Sequence, residues 1–193
     1  MNDDDDYLIK NFDNLTLKLI IFGKESVGKR SIINRYIEKK FENSEEQKLN
    51  TNKTSTKISI DGITCTLEIT DVNPEQLDNH IKNVKGFILV YEVGDNESLE
   101  IIKKIYNEKI KNLENISCIL VGNKLDLDNI RNVKRTEAEE FAKNNDLPFL
   151  EISAKDNINI KETFMRIAHD MIEKEKKLLP KQEISLCDKL CGC

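Results

Sequence analysis

Three short stretches carry residue types that could do chemistry, and each follows an apolar run. The first is Gly23-Lys24-Glu25-Ser26-Val27-Gly28-Lys29-Arg30, with Ser31 next, and it fits G-x-x-x-x-G-K. Glycines at this spacing let backbone N–H groups wrap an anion, and a helix starting here adds the positive end of its dipole. Lys29 would then reach the β- and γ-phosphates of a nucleotide, with residues 23–31 forming the cradle. An ordinary glycine turn with an exposed lysine is the plainer alternative, and the strand-turn-helix context counts against it. The second stretch is Asn123-Lys124-Leu125-Asp126. A short carboxylate there can accept hydrogen bonds from the N1–H and the exocyclic amine of guanine, and adenine offers neither donor. Paired polar contacts of this kind reject an analogue lacking them by about 10⁴-fold or more. Taken alone, N-K-x-D is only a polar turn. The third stretch, Ser153-Ala154-Lys155, could cover the base from the other side with backbone N–H groups.

The elements that must position these loops alternate. Residues 15–22, 56–60, 63–70, 86–92, 117–122 and 148–152 read as six strands, and Asp61-Gly62 between the second and third is a hairpin signal. Helices are expected over 31–40 and 96–110. Thr136 with Glu139 makes a capping box for a short helix, and Asn159 with Glu162 caps a final one. Leu99, Ile102, Ile105 and Tyr106 share one helical face, as do Phe164, Ile167, Ala168, Met171 and Ile172. Alternation of this kind predicts an α/β fold: a mostly parallel six-stranded sheet with one antiparallel edge hairpin and helices on both faces. Ligands in such sheets bind at the carboxyl ends of the strands, so the loops after Phe22, Thr70, Gly122 and Ile152 should meet at one site.

The 193 residues suit one domain, over 15–178, between a flexible acidic extension at 1–14 and a flexible tail at 179–193. A net charge of −5 argues against a nucleic-acid binder. No apolar run is long enough for a membrane-spanning helix, and Asp3 to Asp6 stand where a secretory leader would be basic. Five cysteines cannot all pair within the chain, which fits a reducing compartment. Cys65 and Cys118 lie in apolar strand patterns and read as core, whereas Cys187, Cys191 and Cys193 crowd the tail and are available for modification. His80 and His169 have no metal-ligand spacing and read as structural or exposed.

In this order GKESVGK, GNKLD and SAK resemble the motifs of Ras-superfamily small GTPases, and the resemblance runs from about residue 15 to the terminus. It implies a P-loop G domain that binds GTP or GDP with Mg²⁺ and hydrolyses GTP to GDP and phosphate. Lys29, Asn123 and Asp126 match the family's phosphate and guanine contacts. Lys124 would pack over the base, and Ala154 would reach the base oxygen through its backbone. Cys191-Gly192-Cys193 is similar to the Cys-x-Cys ending of Rab proteins, where both cysteines carry geranylgeranyl groups. That implies lipid anchoring on the cytoplasmic face of a membrane with a cytosolic pool, a role in vesicle traffic, and Rab escort or dissociation-inhibitor-type proteins and effectors as partners.

The sequence also departs from that family. The P-loop should end in Ser or Thr, whose hydroxyl ligates Mg²⁺, but Arg30 holds the position. Ser31 follows, turned by about 100° on a helix, so only a local bulge would bring it to the metal. The Arg30 guanidinium could place its own charge near the phosphates or point to solvent. Asp71 keeps the acidic residue of the second switch and is the remaining candidate on the metal side, but Val72-Asn73-Pro74-Glu75-Gln76 follows it. Pro74 stands where glycine donates an N–H to the γ-phosphate, and proline has none. Glu75 falls where the family has its water-orienting glutamine, with Gln76 a shifted substitute. The stretch before Gly86 is short, so the second switch should be truncated. For the first switch Thr51 is the nearest threonine, with Thr54 and Thr56 behind it in a polar stretch expected to be a loop. Slow hydrolysis is the expectation, and two readings stay open: a working switch, or a catalytically weak, membrane-bound scaffold.

Overall fold

The apolar runs become strands covered on both sides. In β1 (Thr16–Phe22), Leu17, Leu19 and Ile21 enter one apolar cluster and Ile20 and Phe22 the other, as the two-residue period of a strand dictates. In β4 (Gly86–Glu92) and β5 (Ser117–Asn123), Ile88, Val90, Ile119 and Val121 join the first cluster, and Phe87, Leu89, Tyr91 and Leu120 join the second. Continuous apolar sequence is what strands buried on both faces require. The remaining strands are β2 (Lys53–Ile60), β3 (Ile63–Val72) and β6 (Phe149–Glu151). In β3 the buried Cys65, Leu67 and Ile69 alternate with the half-buried Thr66, Glu68 and Thr70, so one face of this part of the sheet is polar. The structure, a computed structural model, describes residues 15–39 and 53–178. Thr51, the acidic stretch 1–14, and Cys187, Cys191 and Cys193 lie outside the described residues.

The helices are α1 (Lys29–Glu38), α2 (Leu77–His80), α3 (Asn96–Ile105), α4 (Arg135–Asn144) and α5 (Ile160–Leu178). α1 and α5 cover the first face, and the Tyr36 ring stacks on Phe164 with centroids 3.8 Å apart. α3 and α4 cover the second through Leu99, Ile102, Ala138 and Ala142. Among the described residues no helix is long and apolar enough to cross a membrane.

The sheet order is β2-β3-β1-β4-β5-β6, with β2 and β3 antiparallel and every other pair parallel. This is the expected architecture. Asp61 and Gly62 turn the hairpin at φ 51° and 80°, the two positive angles a two-residue turn of this kind needs. β1 lies where the strand order reverses, between β3 and β4, and a crevice opens at the carboxyl ends of such strands.

Some sequence expectations need correction. The strand expected from Thr56 begins earlier, at Lys53, so Thr54 is a strand residue facing Ile69 rather than part of a loop, as Thr56 faces Leu67. The polar run up to Thr56 reads as a loop because β2 is an edge strand with an exposed face. The helix expected over 96–110 ends as α at Ile105 and continues as a wider π turn over Tyr106–Ile110. The Thr136–Glu139 capping box does not form. Lys134 holds the N-cap position without a side-chain cap, and Glu139 instead pairs with Arg135 at 2.7 Å, one turn away. Asn159 does stand at the entry to α5, at φ 56°, and its side-chain NH₂ donates to the Glu151 carbonyl at 2.8 Å. Cys65 is buried as expected; Cys118 keeps a partly exposed surface, but its thiol is packed among protein atoms and desolvation pushes it up to about 12.

Candidate functional site

The carboxyl ends of β1, β3, β4, β5 and β6 bring the motif loops together. Gly28 opens α1 with φ 93°, and a Cβ on it would lie 2.4 Å from Asn123 Nδ2. Only glycine leaves room for the β5 loop to touch the P-loop here. Among the described residues none accepts a hydrogen bond from the backbone N–H groups of Glu25, Ser26, Val27 or Gly28. The loop therefore presents a row of donors suited to an anion. Lys24 faces elsewhere, its ammonium held by Asp95 at 3.0 Å and by Glu97, while Glu25 and Ser26 are exposed.

Lys29 is 5% exposed and is held over the loop. Its ammonium donates to the Gly23 carbonyl (2.9 Å), the Lys24 carbonyl (2.9 Å) and Asn73 Oδ1 (2.6 Å). An ammonium has three donors, so these bonds use all of them. Burial pulls the group below the usual lysine range, against the favourable charge of Asp71, whose Oδ1 lies 3.6 Å away. Arg30 settles between the two orientations expected of it. Its side chain is about half exposed, yet its Nε lies 3.2 Å from Asp71 Oδ2. Ser31 is partly exposed, one position further round α1.

The segment after Asp71 forms a tight turn. Pro74 opens a 3₁₀ turn over Pro74–Gln76, and the Gln76 carboxamide accepts from the Asn73 N–H at 3.4 Å. Of the two residues considered for orienting water, Gln76 is thus engaged in this turn and Glu75 is exposed.

The second and third motifs form a clamp. Asn123 is 1% exposed; its Nδ2 donates to the Val27 carbonyl (2.8 Å), and its Oδ1 accepts from the Ala154 N–H (3.3 Å). Ser153 Oγ donates to Asp126 Oδ1 at 2.7 Å, and Lys155 Nζ lies 3.7 Å from Oδ2. A carboxylate has about four acceptor positions, so Asp126 keeps capacity for two further donors. Lys124 adopts φ 66° and its ammonium meets Glu92 Oε2 at 2.6 Å, while the next N–H, that of Leu125, bonds the Ile152 carbonyl.

Three participants were not legible as site residues. Glu92 carries no motif signal. Arg35, a turn and a half beyond Lys29 on α1, donates from Nε to the Ala154 carbonyl (2.8 Å) and from Nη2 to the Lys155 carbonyl (2.7 Å). No sequence pattern connects residues so far apart. Asn73 does carry a signal: Asn, then Pro, then Gln three residues on is a helix-start signature.

The sequence matches the family model described as the Ras family over residues 18–173. The chain belongs to the Ras family. Among similar proteins, "Ras-like protein rasS" of Dictyostelium discoideum is 32% identical over 161 residues, covering 80% of this chain and 82% of that protein. "Ras-related protein Rab-21" of Mus musculus is 33% identical over 164 residues, covering 82% and 74%. "Ras-related protein R-Ras" of the same species is 27% identical over 172 residues, covering 86% and 78%. Ras-like and Rab relatives thus match this small GTPase about equally well.

Ras-family proteins bind guanine nucleotides and usually Mg²⁺. The described residues do not fit the metal. Position 30 offers a guanidinium in place of a hydroxyl, and a guanidinium has donors only. Asp71 already lies between two cations, and although its buried Oδ1 accepts no hydrogen bond, that atom faces Lys29. At 4 Å and an effective dielectric near 20, each pair of unit charges is worth about 4 kcal/mol, so a guanidinium added beside a divalent ion is a substantial repulsion. Among the described residues no cluster of three or more His, Cys, Asp or Glu could hold a metal ion.

Arg35→Ala removes two charge-assisted hydrogen bonds to the 153–155 loop without touching the ligand surface. It should weaken GDP affinity by about tenfold, about 1.4 kcal/mol, and competition titration with a fluorescent GDP analogue measures this.

Proposed function

We propose that this protein is a guanine-nucleotide-binding protein carried on a membrane by its terminal cysteines. The observation that supports it best is the clamp in which Asn123 joins the P-loop to the 153–155 loop while Ser153 holds Asp126. Asp126 receives the N1–H and exocyclic amine of guanine, the Ala154 region covers the base oxygen, and Lys124 packs beside the base. The donors of 25–28 and Lys29 receive the phosphates. To do so, Lys29 must exchange its neutral Asn73 partner for a phosphate oxygen, and its two backbone partners can stay in place.

Within the family the reaction is hydrolysis of GTP to GDP and phosphate, and this chain performs it slowly. Positioned water and neutralised phosphate charge drive such a reaction. Pro74 has no N–H for the γ-phosphate, the Gln76 carboxamide is committed to its own turn, and Glu75 brings negative charge. These features favour the second reading, a catalytically weak, membrane-bound scaffold, over a fast switch. The Cys191-Gly192-Cys193 ending favours the Rab branch, with geranylgeranyl anchoring on a cytoplasmic membrane face, a cytosolic pool held by escort or dissociation-inhibitor-type proteins, and effectors in vesicle traffic.

Two experiments test these parts separately. Asp126→Asn exchanges the anionic acceptor for a carboxamide. It should lower GDP and GTP binding by about 10²-fold or more and favour xanthosine diphosphate, as measured by isothermal titration. Equal binding of ATP and GTP by the unmutated protein would exclude guanine recognition. One lipid chain anchors only marginally, at about 0.8 kcal/mol per buried CH₂, so either Cys191→Ser or Cys193→Ser should release much of the protein to the cytosol. Unchanged membrane recovery of the double variant in a cell fractionation would exclude the anchor.

A further inference from the structure

We propose that this protein holds its nucleotide without a divalent cation, the Arg30 guanidinium supplying the positive charge that a metal ion supplies beside the phosphates. The proposal rests on the guanine-nucleotide reading of the clamp and P-loop. Arg30 is the second residue of α1, directly after Lys29, at the position where the motif places a metal-binding hydroxyl. The Arg30 side chain turns toward Asp71, beside Lys29 and the P-loop. Asp71 fixes it there. It lies near the end of β3 opposite Ile21, one residue before β1 ends, and it draws Arg30 Nε to 3.2 Å. The same carboxylate faces Lys29 Nζ at 3.6 Å, so one anion aligns two cations along one edge of the P-loop.

In a metal-binding site, a carboxylate and a hydroxyl leave a position for a divalent ion. Here the carboxylate has been given a covalently attached monocation. Arg30 presents N–H donors in a planar fork whose geometry matches phosphate oxygens, which a strongly hydrated ion cannot offer. Asp71 orients the fork and offsets the excess charge when no ligand is bound. Since the counter-charge is part of the chain, removing free metal leaves it in place.

The test is nucleotide release from the whole chain loaded with a fluorescent GDP analogue and chased with excess GDP, once in Mg²⁺ and once in EDTA. The unmutated protein should release the analogue at rates within about twofold in the two buffers, whereas a metal-held nucleotide would leave at least about tenfold faster in EDTA. Arg30→Ser restores a hydroxyl ligand, and its release should become Mg²⁺-dependent by about tenfold, whereas Arg30→Lys should keep the metal-independent behaviour. Strong EDTA acceleration in the unmutated protein, or an Arg30→Ser variant with an unchanged ratio, overturns the proposal and leaves guanine binding intact. Failure of the unmutated protein to bind the analogue in either buffer overturns the guanine reading and this proposal together. If Arg30→Ser does not fold, electron paramagnetic resonance of the unmutated GDP complex with Mn²⁺ decides: no protein-bound Mn²⁺ supports the proposal, and a bound signal overturns it.

Discussion

A single buried carboxamide joins the three loops of this site. Asn123 donates to the P-loop at Val27 and accepts from the 153–155 loop at Ala154, and it is almost wholly removed from water. Loss of either bond would strand a buried backbone group, at a cost of about 1–3 kcal/mol. The surrounding sequence serves this contact. Gly28 supplies the space for it, with no Cβ where Asn123 Nδ2 must sit. β5 delivers Asn123 at its carboxyl end, opposite Glu92 at the end of β4. β6 places the third loop alongside, and Arg35 pins that loop to α1 through two carbonyls.

The phosphate end is organised by charge. Lys29 spends its three donors on Gly23, Lys24 and Asn73, and Asp71 stands between Lys29 and Arg30. The turn from Asn73 to Gln76 is stabilised by its own hydrogen bonds and by a proline at its first position. Pro74 gives this turn no backbone N–H at its first position with which to respond to a third phosphate. A ligand shifts a conformational equilibrium only through its differential affinity for the two states, and Pro74 offers no such contact through its nitrogen.

The sheet was readable because its physical signals are strong. Strands buried on both faces need unbroken apolar runs, as in 86–92 and 117–122, and Asp61-Gly62 marks the hairpin. The loops of the site were readable because their residue types are tied to strand ends, a local pattern. Contacts between residues far apart in sequence were not readable. Arg35 reaches carbonyls 119 and 120 positions away, and Glu92 meets Lys124 across the sheet. The edge strand β2 was readable over 56–60, but its first residues looked like a loop, since their polar side faces solvent and their partner is fixed only by the hairpin. At α4, a Glu that could have closed a capping box found an Arg one turn away instead. Asn73 carries a different signal: its helix-start signature marks the turn it caps and not the Lys29 contact it makes.

Recognition of guanine by the Asn123–Asp126–Ala154 clamp is tested most directly by mass spectrometry of the nucleotide released from the purified, denatured protein. A guanosine nucleotide at close to one per chain is the expected result. An adenine nucleotide in its place, or no nucleotide from a protein that also fails to take up GDP, would contradict it.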